Sequence, residues 1–232
     1  MATPLDLQEQ EQLDQIKAFW NQYGHLITWT VTLALAGFAA WNGWNWWQRS
    51  QATKAAALFD ELDRVAQAGD VERAGRAFGD LKERFPRTLQ AQQAALLAAK
   101  VQADKGQPDA ALTTLAWAAD NAGEDEYRTL ARLRAAGLLM DKKQYDEALK
   151  QLDAAQQGKP REFDALIADR RGDVLAAQGK KAEALTAYQA AYKAMDSKAD
   201  YRRLLEAKLT ALGAAPEAAA SAPAAAVSGS VK

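Results

Sequence analysis

At 232 residues and a formal net charge of −1, the chain has room for one moderate domain plus an appendage and carries no basic surplus for nucleic acid. It has no cysteine and a single histidine, His25, which excludes disulfides, thiolate chemistry and Cys-ligated metals. Charge is uneven: residues 1–48 hold Asp6, Glu9, Glu11 and Asp14 against Lys17, a net −3, and the remainder is +2.

Residues 1–24 start polar and become amphipathic. Leu13, Ile16, Phe19, Trp20 and Tyr23 recur at helical spacing and share one face. Such a helix either lies on a membrane surface or leads into a span. The four acids before Lys17 do not attract anionic lipid and favour the second.

From Ala18 through Gln48 there are 31 residues without Asp, Glu, Lys or Arg, and six of the seven tryptophans fall there. The apolar centre, Leu26 to Gly43, covers roughly 27 Å as a helix, close to the hydrocarbon thickness of a bilayer. Trp20 and Tyr23 bracket it on one side, Trp44, Trp46 and Trp47 on the other, at the depths amphipathic rings prefer. Ala34-Leu35-Ala36 has the look of a cleavage signal. The long acidic segment before it, and the apolar run continuing to Trp41, argue for an uncleaved anchor. Ala36 with Ala40, and Ala39 with Gly43, repeat small residues four apart, a spacing that admits a neighbouring membrane helix. Lys17 against Arg49 and Lys54 leaves orientation open.

Beyond Gln51 the chain alternates amphipathic helices with short breaks. Aligning Ala74, Ala111, Ala148 and Ala184 exposes a repeat with spacings of 37, 37 and 36. Five residues earlier stand Gly69, Gly106, Lys143 and Gly179, the turns between paired helices. Four residues later come Phe78, Leu115, Leu152 and Tyr188; twelve earlier, Leu62, Ala99, Ala136 and Gly172. Twelve later come Pro86, Gly123, Pro160 and Asp196 as helix stops. One hairpin cannot bury its apolar face alone, so the units stack into a solenoid. Tyr145-Asp146-Glu147-Ala148-Leu149 and its partner around Ala184 resemble the tetratricopeptide repeat, whose usual period is about 34 residues. A final helix over 199–212 reads as the cap. Residues 213–232, rich in Ala with Pro216 and Pro223, read as a disordered tail.

The predicted architecture is therefore all-α: an N-terminal arm (1–24), a transmembrane helix (25–47), an α-solenoid of about four hairpins (48–212) and the tail. No phosphate loop, metal cluster or nucleophile–base pair is present, so no catalytic, metal or cofactor-binding residue is assigned. Glu124, Asp125 and Glu126 read as helix-start residues, and Arg128, Arg132 and Arg134 as a solvated face. The repeat pattern places Phe59, Asp63, Leu96, Lys100, Leu130, Leu133, Met140, Leu166, Asp169 and Asp173 near the concave face. The core of that set is apolar: Phe59, Leu96, Leu130, Leu133, Met140 and Leu166 form a candidate groove for an apolar segment of another protein. The alternative, that these side chains bury in packing between repeats, stays open.

Glu9-Gln10-Glu11-Gln12-Leu13-Asp14-Gln15-Ile16-Lys17-Ala18-Phe19-Trp20, then Asn21-Gln22-Tyr23-Gly24, a single span and degenerate repeats, resemble the ancillary subunit family of the bacterial SecYEG translocon. The resemblance implies an inner-membrane protein with its N-terminus in the cytoplasm and its repeats in the periplasm. It implies a non-enzymatic role, passing translocated polypeptides to periplasmic chaperones alongside a membrane-anchored prolyl isomerase. In some bacteria the family is linked to down-regulating an envelope stress response. The competing reading is a structural scaffold or assembly factor for an envelope complex that binds no clients.

Overall fold

The computed structural model describes residues 7–158, 161–196 and 200–214; from residue 215 onward the expected tail lies outside the described residues. These residues form nine α-helices and one 3-10 turn, with no strand. The chain divides into two compact units, Met1–Thr53 and Lys54–Lys232.

Helix α1 runs Leu7–Gln67. Among the described residues it is the one helix long and apolar enough to cross a membrane. Its side chains from Leu26 to Trp47 are nearly all exposed, a surface suited to lipid rather than water. Its threonines and an asparagine bond along the helix itself. Thr28 Oγ1 donates to the Gly24 carbonyl at 2.7 Å, Thr30 to Leu26 at 2.8 Å and Thr32 to Thr28 at 2.7 Å. Asn42 Nδ2 donates to the Phe38 carbonyl at 2.9 Å. These four polar side chains are thus satisfied inside their own helix, as hydrocarbon requires. The aromatic faces form as spaced: the Phe19 and Tyr23 rings are 5.1 Å apart, and those of Trp44 and Trp47 5.3 Å. Ala36, Ala39, Ala40 and Gly43 are all exposed, and a Cβ on Gly43 would meet nothing within 4 Å.

In the second unit the last turns of α1 are followed by α2 (Val71–Arg84), α3 (Leu89–Asp104), α4 (Pro108–Asn121), α5 (Asp125–Asp141) and α6 (Tyr145–Gln156). A 3-10 turn (Arg161–Phe163) then leads to α7 (Asp164–Ala177), α8 (Lys181–Ala194) and α9 (Arg202–Ala211). Local chemistry sets the starts: Asp70 accepts the Arg73 N–H, Thr88 accepts the Ala91 N–H, and Pro108 sits in the first turn of α4. Pro86, Gly123 and Asp196 each lie two residues beyond a helix end; Pro160 lies outside the described residues. The cap is shorter than expected. A turn at Asp200–Tyr201 precedes it, so α9 starts at Arg202 rather than 199.

The repeat alignment maps onto the core. Ala74, Ala111, Ala148 and Ala184 are fully buried, and Phe78, Leu115, Leu152 and Tyr188 nearly so. Trp117, the one tryptophan outside the N-terminal run, packs edge-on against Phe78, ring centres 5.3 Å apart. Three apolar clusters follow one another along the solenoid. Leu112 packs against the first and second, and Leu149, at the same repeat position, against the second and third.

Gly69, Gly106 and Gly179 make their turns with φ of +68°, +73° and +79°, and Lys143 takes the same left-handed conformation, φ 60°. A side chain there costs free energy that glycine avoids. Lys143→Gly is expected to raise the unfolding free energy by about 0.5–1 kcal/mol in urea titration. Gly172 is small for a packing reason: a Cβ there would lie 2.4 Å from Tyr188 Cε1. Gly172→Ala forces the ring aside, with an expected loss of about 1–3 kcal/mol in the same titration.

Candidate peptide-binding cleft

The first helices of successive hairpins, α3, α5 and α7, touch one repeat apart and build one wall. A cleft of about 530 Å³ opens on it. Helix α3 contributes Lys100 and Asp104; α5 contributes Leu130, Leu133, Arg134, Gly137 and Asp141; α7 contributes Leu166, Asp169 and Arg170. Tyr201, just ahead of α9, lines it as well.

Leu130, Leu133 and Leu166 of the predicted groove line this cleft, with Leu166 the most exposed at 37%. Leu133 is 8% exposed, so most of its surface serves the core. The other three are not brought to it. Leu96 is buried in the first cluster, Phe59 packs against that cluster, and Met140 packs against the second. Asp63 lines a second cleft of about 220 Å³ that shares Lys100 and Asp104 with the larger one. The apolar floor therefore has a charged rim. Asp104, Arg134, Asp141, Arg170 and Tyr201 were not in the predicted set. A signal was present: Asp104 and Asp141 are 37 residues apart, Arg134 and Arg170 36, both repeat spacings.

The arginines of α5 are in part the solvated face expected of them, Arg134 exposed and Arg128 and Arg132 half-buried, and each also bonds a backbone carbonyl. Arg128 Nε donates to the Ala122 carbonyl at 2.6 Å, Arg132 Nη1 to Ala154 at 3.0 Å and Arg134 Nη1 to Leu96 at 3.0 Å. A guanidinium carries donors enough to bond a neighbouring helix and still present charge outward. Partial burial holds the Arg134 pKa below its usual range. Glu124 stands at the N-cap of α5 with no side-chain cap bond, so its contribution there is through the helix dipole alone.

A polar latch fixes α9 beside the cleft. Asp169, 2% exposed, accepts from Tyr201 Oη at 2.6 Å and Lys208 Nζ at 2.7 Å. Asp173 accepts from Tyr188 Oη at 2.8 Å and the same Lys208 nitrogen at 2.7 Å. Arg202 lies 3.6 Å over the Tyr192 ring and donates to the Tyr192 and Met195 carbonyls, covering the end of α8. Apolar contact completes the docking through Leu205 and Leu209.

Burial, and then the bonds to Asp173 and Asp169, raise the Tyr188 and Tyr201 pKa values far above the ordinary 10.0. The folded chain keeps these protons at pH values where the unfolded chain releases them. Their contribution is therefore whole below pH 10 and falls as pH rises further. Urea midpoints measured from about pH 8 to about pH 11 are expected to drop beyond pH 10, and the double variant Tyr188→Phe, Tyr201→Phe to drop less steeply.

The hairpins, the repeat spacing and the concave cleft define a tetratricopeptide-like repeat protein with an apolar N-terminal helix. A family model described as a tetratricopeptide repeat-like domain matches residues 17–214. A protein of Neisseria gonorrhoeae named ancillary SecYEG translocon subunit is 31% identical over 207 residues, spanning 89% of this chain and 98% of that protein. One of the same name from Haemophilus influenzae is 26% identical over 191 residues, spanning 80% of this chain and 89% of that protein. The chain belongs to the family of ancillary SecYEG translocon subunits.

Proposed function

We propose that this chain is a single-pass inner-membrane subunit that works beside the SecYEG translocon, with residues 1–24 in the cytoplasm and the repeats in the periplasm. Its solenoid holds translocated polypeptides transiently in the α3–α5–α7 cleft and passes them to periplasmic chaperones, together with a membrane-anchored prolyl isomerase. Ala36, Ala39, Ala40 and Gly43 form the face through which the anchor meets a membrane partner. The observation that carries the reading is the cleft itself: an apolar floor of Leu130, Leu133 and Leu166 under a rim of both charges. Such a surface suits varied chain segments better than one fixed charged end. Family membership supplies the translocon.

Leu166 is the position for the test, because its exposure separates binding from packing. A photo-crosslinking residue there in growing cells is expected to capture many secretory polypeptides, and Leu166→Asp to leave the fold intact but reduce capture at neighbouring positions. Capture of a few fixed partners only would favour the scaffold reading. Topology has its own measurement. In this cysteine-free chain, single cysteines at Ser50 and Ser221 are expected to react with an impermeant thiol reagent in intact spheroplasts, and one at Gln15 to stay protected. The reverse pattern would put the repeats in the cytoplasm and sink the hand-off.

A further inference from the structure

One position on the cleft wall breaks the repeat. Asp63, Lys100, Gly137 and Asp173 occupy the same place in successive units, so three of the four project a charged side chain and α5 projects none. A glycine inside a helix is destabilising relative to alanine, so its presence asks for a reason. Contact with an added Cβ does not supply one. At Gly172 a Cβ would strike the Tyr188 ring at 2.4 Å, whereas at Gly137 the nearest atom to an added Cβ is Arg170 Nη1 at 3.7 Å, an ordinary contact. Gly75 and Gly79 on α2 are also open, but they line no cleft described above. Gly137 lies in the cleft wall, and its missing side chain is a notch in that wall.

Charge is arranged about the notch. Arg134 and Asp141 stand three residues before and four after Gly137, on the same face of α5. The other charged groups around the cleft are engaged: Lys100 with Asp104, Asp169 with Lys208, Arg170 with Asp173. Among the described residues, neither Arg134 nor Asp141 has an ion-pair partner. They lie about 10 Å apart along the helix; in an extended peptide the residues two before and two after a given one share its face and lie roughly 13 Å apart, a span that long charged side chains bridge.

We infer that the Gly137 notch seats one bulky apolar side chain of an extended polypeptide whose residues two before and two after it, on the same face, carry a carboxylate for Arg134 and a cation for Asp141. This rests on the cleft being the polypeptide site and states which segments it selects.

The test uses the full chain in lipid nanodiscs and fluorescein-labelled twelve-residue Ser/Gly peptides read by anisotropy. The cores are Asp-Ser-Phe-Ser-Lys, Asp-Ser-Ala-Ser-Lys and Asn-Ser-Phe-Ser-Gln. The phenylalanine core is expected to bind at least about tenfold more tightly than the alanine core. The neutral core is expected to bind more weakly than its charged counterpart. Gly137→Leu is expected to cut the phenylalanine preference below about threefold while the melting temperature holds or rises, since leucine favours the helix. Arg134→Gln is expected to keep that preference and narrow the difference between charged and neutral cores. If Gly137→Leu does not fold, Gly137→Ala, which meets no clash, is expected to lower it in part. Unchanged phenylalanine preference in the folded variant, with binding lost in Leu166→Asp, overturns the notch and leaves the cleft reading standing. No binding of any peptide to the unsubstituted chain overturns both.

Discussion

Helix-to-helix distance is the quantity on which the repeat unit depends. Each hairpin closes on an alanine with no exposed surface, Ala74, Ala111, Ala148 or Ala184, and a larger side chain four residues on fills the space beside it. Interiors packed at this density do not absorb an added methylene without movement. The fourth unit shows the trade directly. Tyr188 replaces the smaller Leu115 and Leu152 of earlier units, and Gly172 replaces Ala99 and Ala136 to receive it. The tyrosine then carries a hydroxyl to Asp173, which the preceding leucines do not offer, and the cap is held through that group.

Polar groups in this protein are placed where backbone needs them. The threonines of α1 return their hydroxyls to carbonyls of their own helix, and the α5 arginines reach carbonyls on neighbouring helices. The latch around Asp169 unites two carboxylates, a lysine and two phenols in one bonded group, so that a buried charge is met from several sides. A chain so rich in alanine has few large side chains with which to specify a unique arrangement, and these directional contacts supply what bulk does not.

The repeat register and the turns were legible because glycine and small-residue spacing are set by sterics along the chain itself. The four turn positions, Lys143 included, could be placed from Ala74, Ala111, Ala148 and Ala184 alone. The composition of the cleft was only partly legible. Leu96 and Leu133 share a repeat position, yet one is enclosed in the first cluster and the other reaches the cleft. That difference is set by which neighbours lie above each helix, and repeat offsets do not encode it. The rim was missed for a related reason: charges on a helix surface are ordinarily solvated, and only the curvature of the wall gathers Arg134, Asp141 and Arg170 around one hollow. The reach of the arginines to carbonyls on other helices likewise depends on side-chain length across a gap that the sequence does not state.

The leucines shared between clusters have a mechanical consequence. Leu112 and Leu149 each bridge two of the three apolar clusters. Stability in such arrays is a sum of units and the seams between them. Helices α5 and α7 are shared in the same way, α5 lending buried residues to the first and second clusters and α7 to the second and third. A strain in one cluster therefore passes directly into the next, and the wall bearing the cleft acts as one continuous beam rather than a row of separable units.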